Sequence, residues 1–101
     1  MNHRSSVRIA VHLTVDVFKR EQFLGRYTTR NMDVEGVFIE MRTTDLDAND
    51  LVELLFVTCD CGYCNYALTA GVARLDTDGA GMMLFDHDHR ALDILRTAIQ
   101  L

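Results

Sequence analysis

The feature that most constrains this chain is a long alternation of side chains that begins at Val7 and ends at Phe18. Every second position is apolar and mostly valine: Val7, Ile9, Val11, Leu13, Val15 and Val17. Successive side chains of a β-strand point to opposite faces, and β-branched residues favour strands. The alternation therefore predicts one long strand with one buried face.

Further segments with strand character follow, each bounded by turn-forming or polar residues. They are Phe23–Thr29, Val37–Met41, Leu51–Thr58, Tyr66–Leu75 and Ala80–Phe85. Gly25 is expected to mark a bend or bulge, because glycine inside a strand weakens regular pairing. Asp76–Gly79 is typical of a tight hairpin turn.

The spacing of apolar residues changes after Phe85. One helical stripe is formed by Ala91, Leu92, Leu95, Ala98 and Ile99. Asp86 or Asp88 can cap the helix by accepting backbone N–H bonds. A single amphipathic helix after a series of strands has to bury its stripe on them, so we expect an all-β, barrel-like domain with a C-terminal helix.

The 101 residues are expected to form one domain, residues 1–101. No apolar run approaches the roughly 20 residues of a membrane helix, and no signal peptide is recognisable, so neither a membrane contact nor export is expected. Three cysteines, an odd number, favour a reducing compartment over a disulfide framework. These features predict a cytoplasmic protein.

The charge is uneven along the chain. Residues 1–42 hold seven of the ten Lys and Arg but five of the fifteen Asp and Glu, against a net charge of −5 for the whole chain. The acidic total argues against binding of a nucleic acid polymer, which requires several cations on one face. The basic N-terminal part is compatible with a small anionic ligand.

Two short elements are candidates for such a site. Arg4 and Arg8 stand before and at the start of the first strand, and the guanidinium fork matches phosphate oxygens and the edge of guanine. Asn31 to Gly36 forms a turn before the third strand, where Asn31 and Asp33 can point the same way. Each element alone is more typical of ordinary surface arginines or of an ordinary turn than of a binding site.

Taken together, the two elements resemble the PilZ domain family. The pattern R-x-x-x-R followed by [D/N]-x-S-x-x-G and an apolar strand is present as Arg4-x-x-x-Arg8 and Asn31-x-Asp33-x-x-Gly36. Gly71-x-x-Arg74, the segment 79–85 and the terminal helix resemble the family's last strands and helix. The resemblance covers nearly the entire chain and implies a small antiparallel β-barrel of about six strands with a C-terminal helix.

The resemblance also implies a function, that of a bacterial receptor for cyclic di-GMP which signals to a protein partner. Arg4 and Arg8 would hold phosphates and guanine edges from an N-terminal arm. Asn31 and Asp33 would contact a guanine, and Gly36 would shape the turn. Arg74 falls where some members place a residue that stacks on a base.

Asp33 departs from the family pattern, which has serine at this position. A carboxylate only accepts hydrogen bonds, and it brings a negative charge towards a dianionic ligand. The loss of affinity for the ligand depends on whether Asp33 faces a base edge or a phosphate. The alternative function is a PilZ-like adaptor that binds no nucleotide and acts through protein contacts.

Cys59, Cys61 and Cys64 are concentrated in one turn. We expect them to act as small apolar residues and expect no metal site. A zinc site completed by Asp60, His87 or His89 and a redox pair are the alternatives. No nucleophile–base pair is recognisable in the sequence, so no enzymatic activity and no cofactor are expected.

Overall fold

A computed structural model describes residues 8–42, 45–57, 65–85 and 89–99. These residues form seven strands and one helix. The bounds are β1 Ile9–Ala10, β2 Thr14–Lys19, β3 Gln22–Met32, β4 Gly36–Glu40, β5 Leu51–Val57, β6 Asn65–Leu75, β7 Gly79–Phe85 and α1 Arg90–Ile99.

The strands form a closed antiparallel barrel. Six of them pair in the order β3-β2-β5-β6-β7-β4, and β4 pairs back with β3 to close the ring. The short β1 is a seventh strand, which pairs with residues 31 and 32 at the end of β3. The predicted fold, a small antiparallel barrel of about six strands followed by one helix, is confirmed over the described residues.

Alternating side chains of the strands fill the interior. Val15, Val17, Ile39, Leu54 and Phe56 are fully buried, as the period of two requires. Each such side chain contributes about 1.5–3 kcal/mol by leaving water, and together they provide most of the driving force for closing the barrel.

Helix α1 packs on the barrel beside β6. Ala91 and Leu95 are buried, as the sequence predicts, but the prediction for Leu92 is wrong. Leu92 is exposed, and Ile94 is fully buried in its place. The apolar stripe is therefore rotated from the predicted one, because the crossing of the helix over β6 decides which residues meet the barrel.

The first predicted strand is interrupted, so the expectation of one continuous strand from Val7 to Phe18 is wrong. The break falls between β1 and β2, opposite the fully buried Thr29 of β3. The Thr29 hydroxyl donates to the carbonyl oxygen of Val11 (2.6 Å) and accepts the N–H of Leu13 (2.9 Å). The Thr29 side chain thus pairs the carbonyl of Val11 and the N–H of Leu13, which backbone groups would pair in a regular sheet. The segment between β1 and β2 therefore stays attached to β3 although it bends.

Strand β3 is longer than predicted and contains the expected irregularity at Gly25. The pairing with β2 passes from Val17 opposite Gly25 to Phe18 opposite Phe23, so Leu24 is bulged out. Gly25 has a φ of 155°, and a Cβ there would lie 2.6 Å from the Tyr27 hydroxyl oxygen. Glycine is therefore required at this bulge.

Several sequence expectations lie outside the described residues: Arg4, the helix caps Asp86 and Asp88, His87, and the cysteines Cys59, Cys61 and Cys64. Among the residues that are described, no cluster of His, Cys, Asp and Glu could hold a metal ion. The described helix is too short to cross a membrane.

Candidate functional site

The turn between β3 and β4 is closed by the side chain of Asp33. Its Oδ1 accepts the backbone N–H groups of Glu35 and Gly36, each at 2.8 Å. The backbone N–H of Asp33 also donates to the carbonyl oxygen of Gly36 at 2.9 Å. Asp33 is 1% exposed, so one oxygen of the carboxylate is directed into its own turn rather than towards a ligand.

Arg8 lies across this turn. Its Nη1 donates to Oδ1 of Asn31 at 3.3 Å, and its Nε lies 3.7 Å from Oδ2 of Asp33. That Nε is buried and has no hydrogen-bond partner among the described residues. A buried donor without an acceptor is costly, so this atom favours any ligand oxygen that can approach it.

Gly36 provides the space that Arg8 occupies. A Cβ at this position would lie 2.7 Å from Nη2 of Arg8 and 3.0 Å from the carbonyl oxygen of Met82. The glycine is therefore needed for the close approach of the guanidinium to the backbone.

Asn31 lies in strand β3 and not in the turn, which corrects its predicted placement. Met32 beside it is fully buried in the core, so the Asn31 side chain points to the outer surface of the barrel. Pairing places Asn31 opposite Phe38, Phe38 opposite Gly81, and Gly81 opposite Arg74. These four residues form a row across four strands.

Arg74 stands at the far end of this row and is exposed. Three strand spacings separate it from Asn31, about 14 Å along the sheet. Arg74 thus shares a surface with the turn without belonging to the cluster of Arg8, Asn31, Asp33 and Gly36. Four of the six predicted site residues meet directly, the fifth lies along the same row, and Arg4 lies outside the described residues.

The sequence interpretation missed Arg30 and Phe38. The pairing of β3 with β4 passes from Thr29–Ile39 to Asn31–Phe38, so Arg30 is bulged. Its guanidinium carbon lies 4.5 Å above the centroid of the Phe38 ring. A basic residue directly before Asn31 was the available signal, but the bulge that turns it outward is not readable from the sequence.

The arginines of β3 differ in their partners. Arg26 forms a two-pronged pair with Asp16, at 2.7 and 3.1 Å, and this hydrogen-bonded carboxylate raises the pKa of Arg26. Arg30 donates from Nε to Glu40 at 2.9 Å, and its Nη2 lies 3.9 Å from Asp78. Both cations are locally neutralised by a carboxylate at hydrogen-bond distance, whereas Arg8 Nε lies 3.7 Å from the carboxylate of Asp33.

A separate cleft lies beside the β2–β3 hairpin and contains none of the predicted site residues. Its volume is about 470 Å³, and it is lined by Lys19, Arg20, Gln22, Phe23, Leu24 and Asp45. Lys19 is engaged there with Asp50 at 2.9 Å and lowers the pKa of that carboxyl group. Lys19, one of the two cations that line this cleft, is therefore already paired.

No protein-family model matches this sequence, and no curated protein matches it either. Solved structures do match. The chain superposes on the PilZ domain of CeSA from a cellulose-synthesising bacterium with a TM-score of 0.68 at 18% identity, covering 92% of this chain and 95% of that one.

Two further structures are similar. The inhibitor of motility MotI/DgrA of Bacillus subtilis has a TM-score of 0.68 at 14% identity over 95% of this chain and 51% of that one. An uncharacterised Legionella protein has a TM-score of 0.54 at 12% identity, covering 89% and 88% of the two chains. The chain therefore has a PilZ-like fold, and it spans about half the length of the motility inhibitor.

Proposed function

We propose that this protein is a receptor for cyclic di-GMP that signals to a protein partner. The observation that supports it is the convergence of Arg8, Asn31 and Gly36 at one point on the outer surface of a PilZ-like barrel. Arg8 meets two residues more than twenty positions further along the chain, so a phosphate-binding cation, a base-edge acceptor and a glycine backbone lie side by side.

Each group has a chemical role towards such a ligand. The unpartnered Nε of Arg8 donates to a phosphate oxygen, which gives a charge-assisted hydrogen bond. Oδ1 of Asn31, which now accepts from Arg8, can accept N1–H or N2–H of guanine. We expect Arg4 to add a second cation and Arg74 to stack on a base. Ordering of the Arg4–Arg8 arm would alter the surface that the partner meets.

Asp33 reduces the affinity in this proposal. One carboxylate oxygen closes the turn as a serine hydroxyl could, while the other lies near Arg8 and competes with a phosphate for it. Two unit charges about 4 Å apart attract each other by about 4 kcal/mol at an effective dielectric constant of about 20, and the cost of desolvating them offsets most of this attraction. Part of this attraction is lost when a phosphate replaces the carboxylate, so native binding should be weaker than that of a serine variant.

Titration calorimetry with cyclic di-GMP tests the proposal on four proteins: native, Arg8→Ala, Asp33→Ser and the control Arg26→Ala. Native protein should bind saturably, and loss of the Arg8 contacts should weaken binding about tenfold or more. Asp33→Ser should bind about tenfold more tightly. Arg26→Ala removes a positive charge from β3, away from the turn, and should leave the affinity for cyclic di-GMP unchanged. An affinity unaffected by Arg8→Ala would contradict the proposal.

A second candidate is a nucleotide-independent adaptor, and the contact between Arg8 and Asp33 favours it because it already provides the cation with an anion. Exposed apolar side chains of Leu51, Met83 and Phe85 lie on the outer surface nearby. Leu51, Gly71, Met83 and Gly36 pair in one row, which connects these side chains to the turn. Binding that appears only in Asp33→Ser would support the adaptor.

A further inference from the structure

The Phe38 ring lies on the outside of the barrel although it is only 3% exposed. Val37 and Ile39 beside it point into the core, so the ring points outward. It lies over the glycines of β7: a Cβ at Gly79 would come 3.0 Å from Cε1 of Phe38, and one at Gly81 would come 3.9 Å from Cδ2. Two glycines in the paired strand give the ring a flat seat.

Arg30 covers this ring from the solvent side. The bulge turns Arg30 and Asn31 together towards Phe38, and the guanidinium carbon sits 4.5 Å above the ring centroid. Glu40 and Asp78 fix the guanidinium from its edges, at 2.9 and 3.9 Å. The side chain of Arg30 is still 41% exposed, so part of this layered pair is open to solvent.

We propose that Arg30, stacked on Phe38, is a platform on which a guanine base of the ligand stacks. This inference rests on the proposed receptor function and adds a contact to it. The guanidinium of Arg30 lies over the Phe38 ring on one side and can present its other side to a second ring.

Two neighbours favour a nucleobase over another flat group. Asn31 directly follows Arg30 and offers hydrogen-bonding atoms to a base edge while the platform binds the base face. Gly81 lies between Phe38 and Arg74 in the row across the strands. Because it carries no side chain, a flat ligand can extend from the platform towards Arg74.

The ion pairs of Arg30 determine whether the platform attracts a ligand by charge or by stacking. Glu40 and Asp78 offset its positive charge, so Arg30 contributes little net attraction for phosphate. Arg30 contributes a planar guanidinium group, which a lysine side chain lacks. Arg30→Lys preserves the charge and the pairing with Glu40 but removes the plane, and it therefore separates stacking from electrostatics.

The test is titration of cyclic di-GMP into native protein, Arg30→Ala, Arg30→Lys and the control Arg26→Ala. Both Arg30 variants should bind about tenfold more weakly, because base stacking is typically lost at that scale on truncation. Arg26→Ala should match native protein. In the native complex, the side-chain Hε of Arg30 should move upfield in NMR spectra through the ring current of the stacked base.

Each outcome bears on the platform. Native affinity in Arg30→Lys, or an Arg30 Hε signal that does not move at saturation, overturns the platform and leaves the receptor function standing. Absence of saturable binding by native protein overturns both. If Arg30→Lys fails to fold, as judged by its thermal unfolding, the NMR shift of native protein decides alone.

Discussion

Two turns of this barrel have the same construction and different surroundings. Asp33–Gly36 joins β3 to β4, and Asp76–Gly79 joins β6 to β7. In each, Oδ1 of the aspartate accepts two backbone N–H groups, at 2.8 and 2.8 Å in the first turn and at 2.9 and 3.1 Å in the second. In each, the aspartate N–H donates to the glycine carbonyl oxygen.

The difference lies in what covers each turn. Asp33 is buried beneath Arg8, whereas Asp76 is exposed. The aspartate at position 33 is therefore explained by turn chemistry that the protein uses twice. A carboxylate closes both turns. Of these two described turns, only the one at Gly36 also has a guanidinium over its glycine, that of Arg8.

The glycines should separate the two turns most strongly. A Cβ at Gly79 would overlap the backbone carbonyl oxygen of Ile39, whereas at Gly36 the nearest atom is the movable end of Arg8. We expect Gly79→Ala to lower the free energy of unfolding by about 3 kcal/mol and Gly36→Ala by about 1 to 2 kcal/mol. Urea denaturation measures both; equal losses would mean that the Arg8 side chain cannot move aside.

Removal of the carboxylates should give the next largest contrast. Asp33→Ala leaves the buried N–H of Gly36 without an acceptor and Arg8 without its anion, and should cost about 2 to 3 kcal/mol. Asp76→Ala exposes its turn N–H groups to water and should cost about 1 kcal/mol or less. Chemical denaturation compares them, and an equal cost would show that burial of the first turn is energetically unimportant.

A serine at each position sharpens the comparison further, because its hydroxyl can accept one of the two turn N–H groups. We expect Asp33→Ser and Asp76→Ser to cost about 1 kcal/mol each in unfolding experiments. Only Asp33→Ser should alter the affinity for cyclic di-GMP. A change of affinity in Asp76→Ser would place ligand at the second turn and contradict the assignment of the site.

The smallest effect is expected from asparagine, which keeps an acceptor oxygen for the turn and removes the charge. Asp76→Asn should leave stability unchanged. Asp33→Asn removes the ionic contact with Arg8, whose side chain is 31% exposed, and should change stability by about 0.5 kcal/mol or less. Thermal unfolding of the two variants at low and high salt measures the difference, which salt should diminish.

Sequence patterns predicted the barrel because local rules decide it. Alternation identified β2 and most later strands, and Gly25 marked its bulge. The interruption between β1 and β2 was not predictable, because it depends on the hydroxyl of Thr29, sixteen to eighteen residues away along the chain. The burial of Ile94 in place of Leu92 likewise depends on how the helix crosses the barrel.

The candidate site was predicted in composition but not in geometry. Arg8, Asn31, Asp33 and Gly36 do meet, as the order of motifs implied. The alternatives posed for Asp33, a base edge or a phosphate, both missed its main role, which is to close the turn. The repeat of Asp-x-x-Gly at residues 76–79 was a readable signal of that role. Arg30 was missed because its side chain points outward only as a result of the bulge at Arg30 itself.

Thr29 sets a mechanical limit on this molecule. Its hydroxyl anchors the chain at Val11 and Leu13, so Arg8 stands three residues ahead of a fixed point in the barrel wall. Ile9 and Ala10 pair with β3 between this anchor and Arg8, so the wall of the barrel is clamped up to the residue next to Arg8. In the proposed function, a change at Arg8 would therefore have to be recognised by the partner on the outer surface of the barrel.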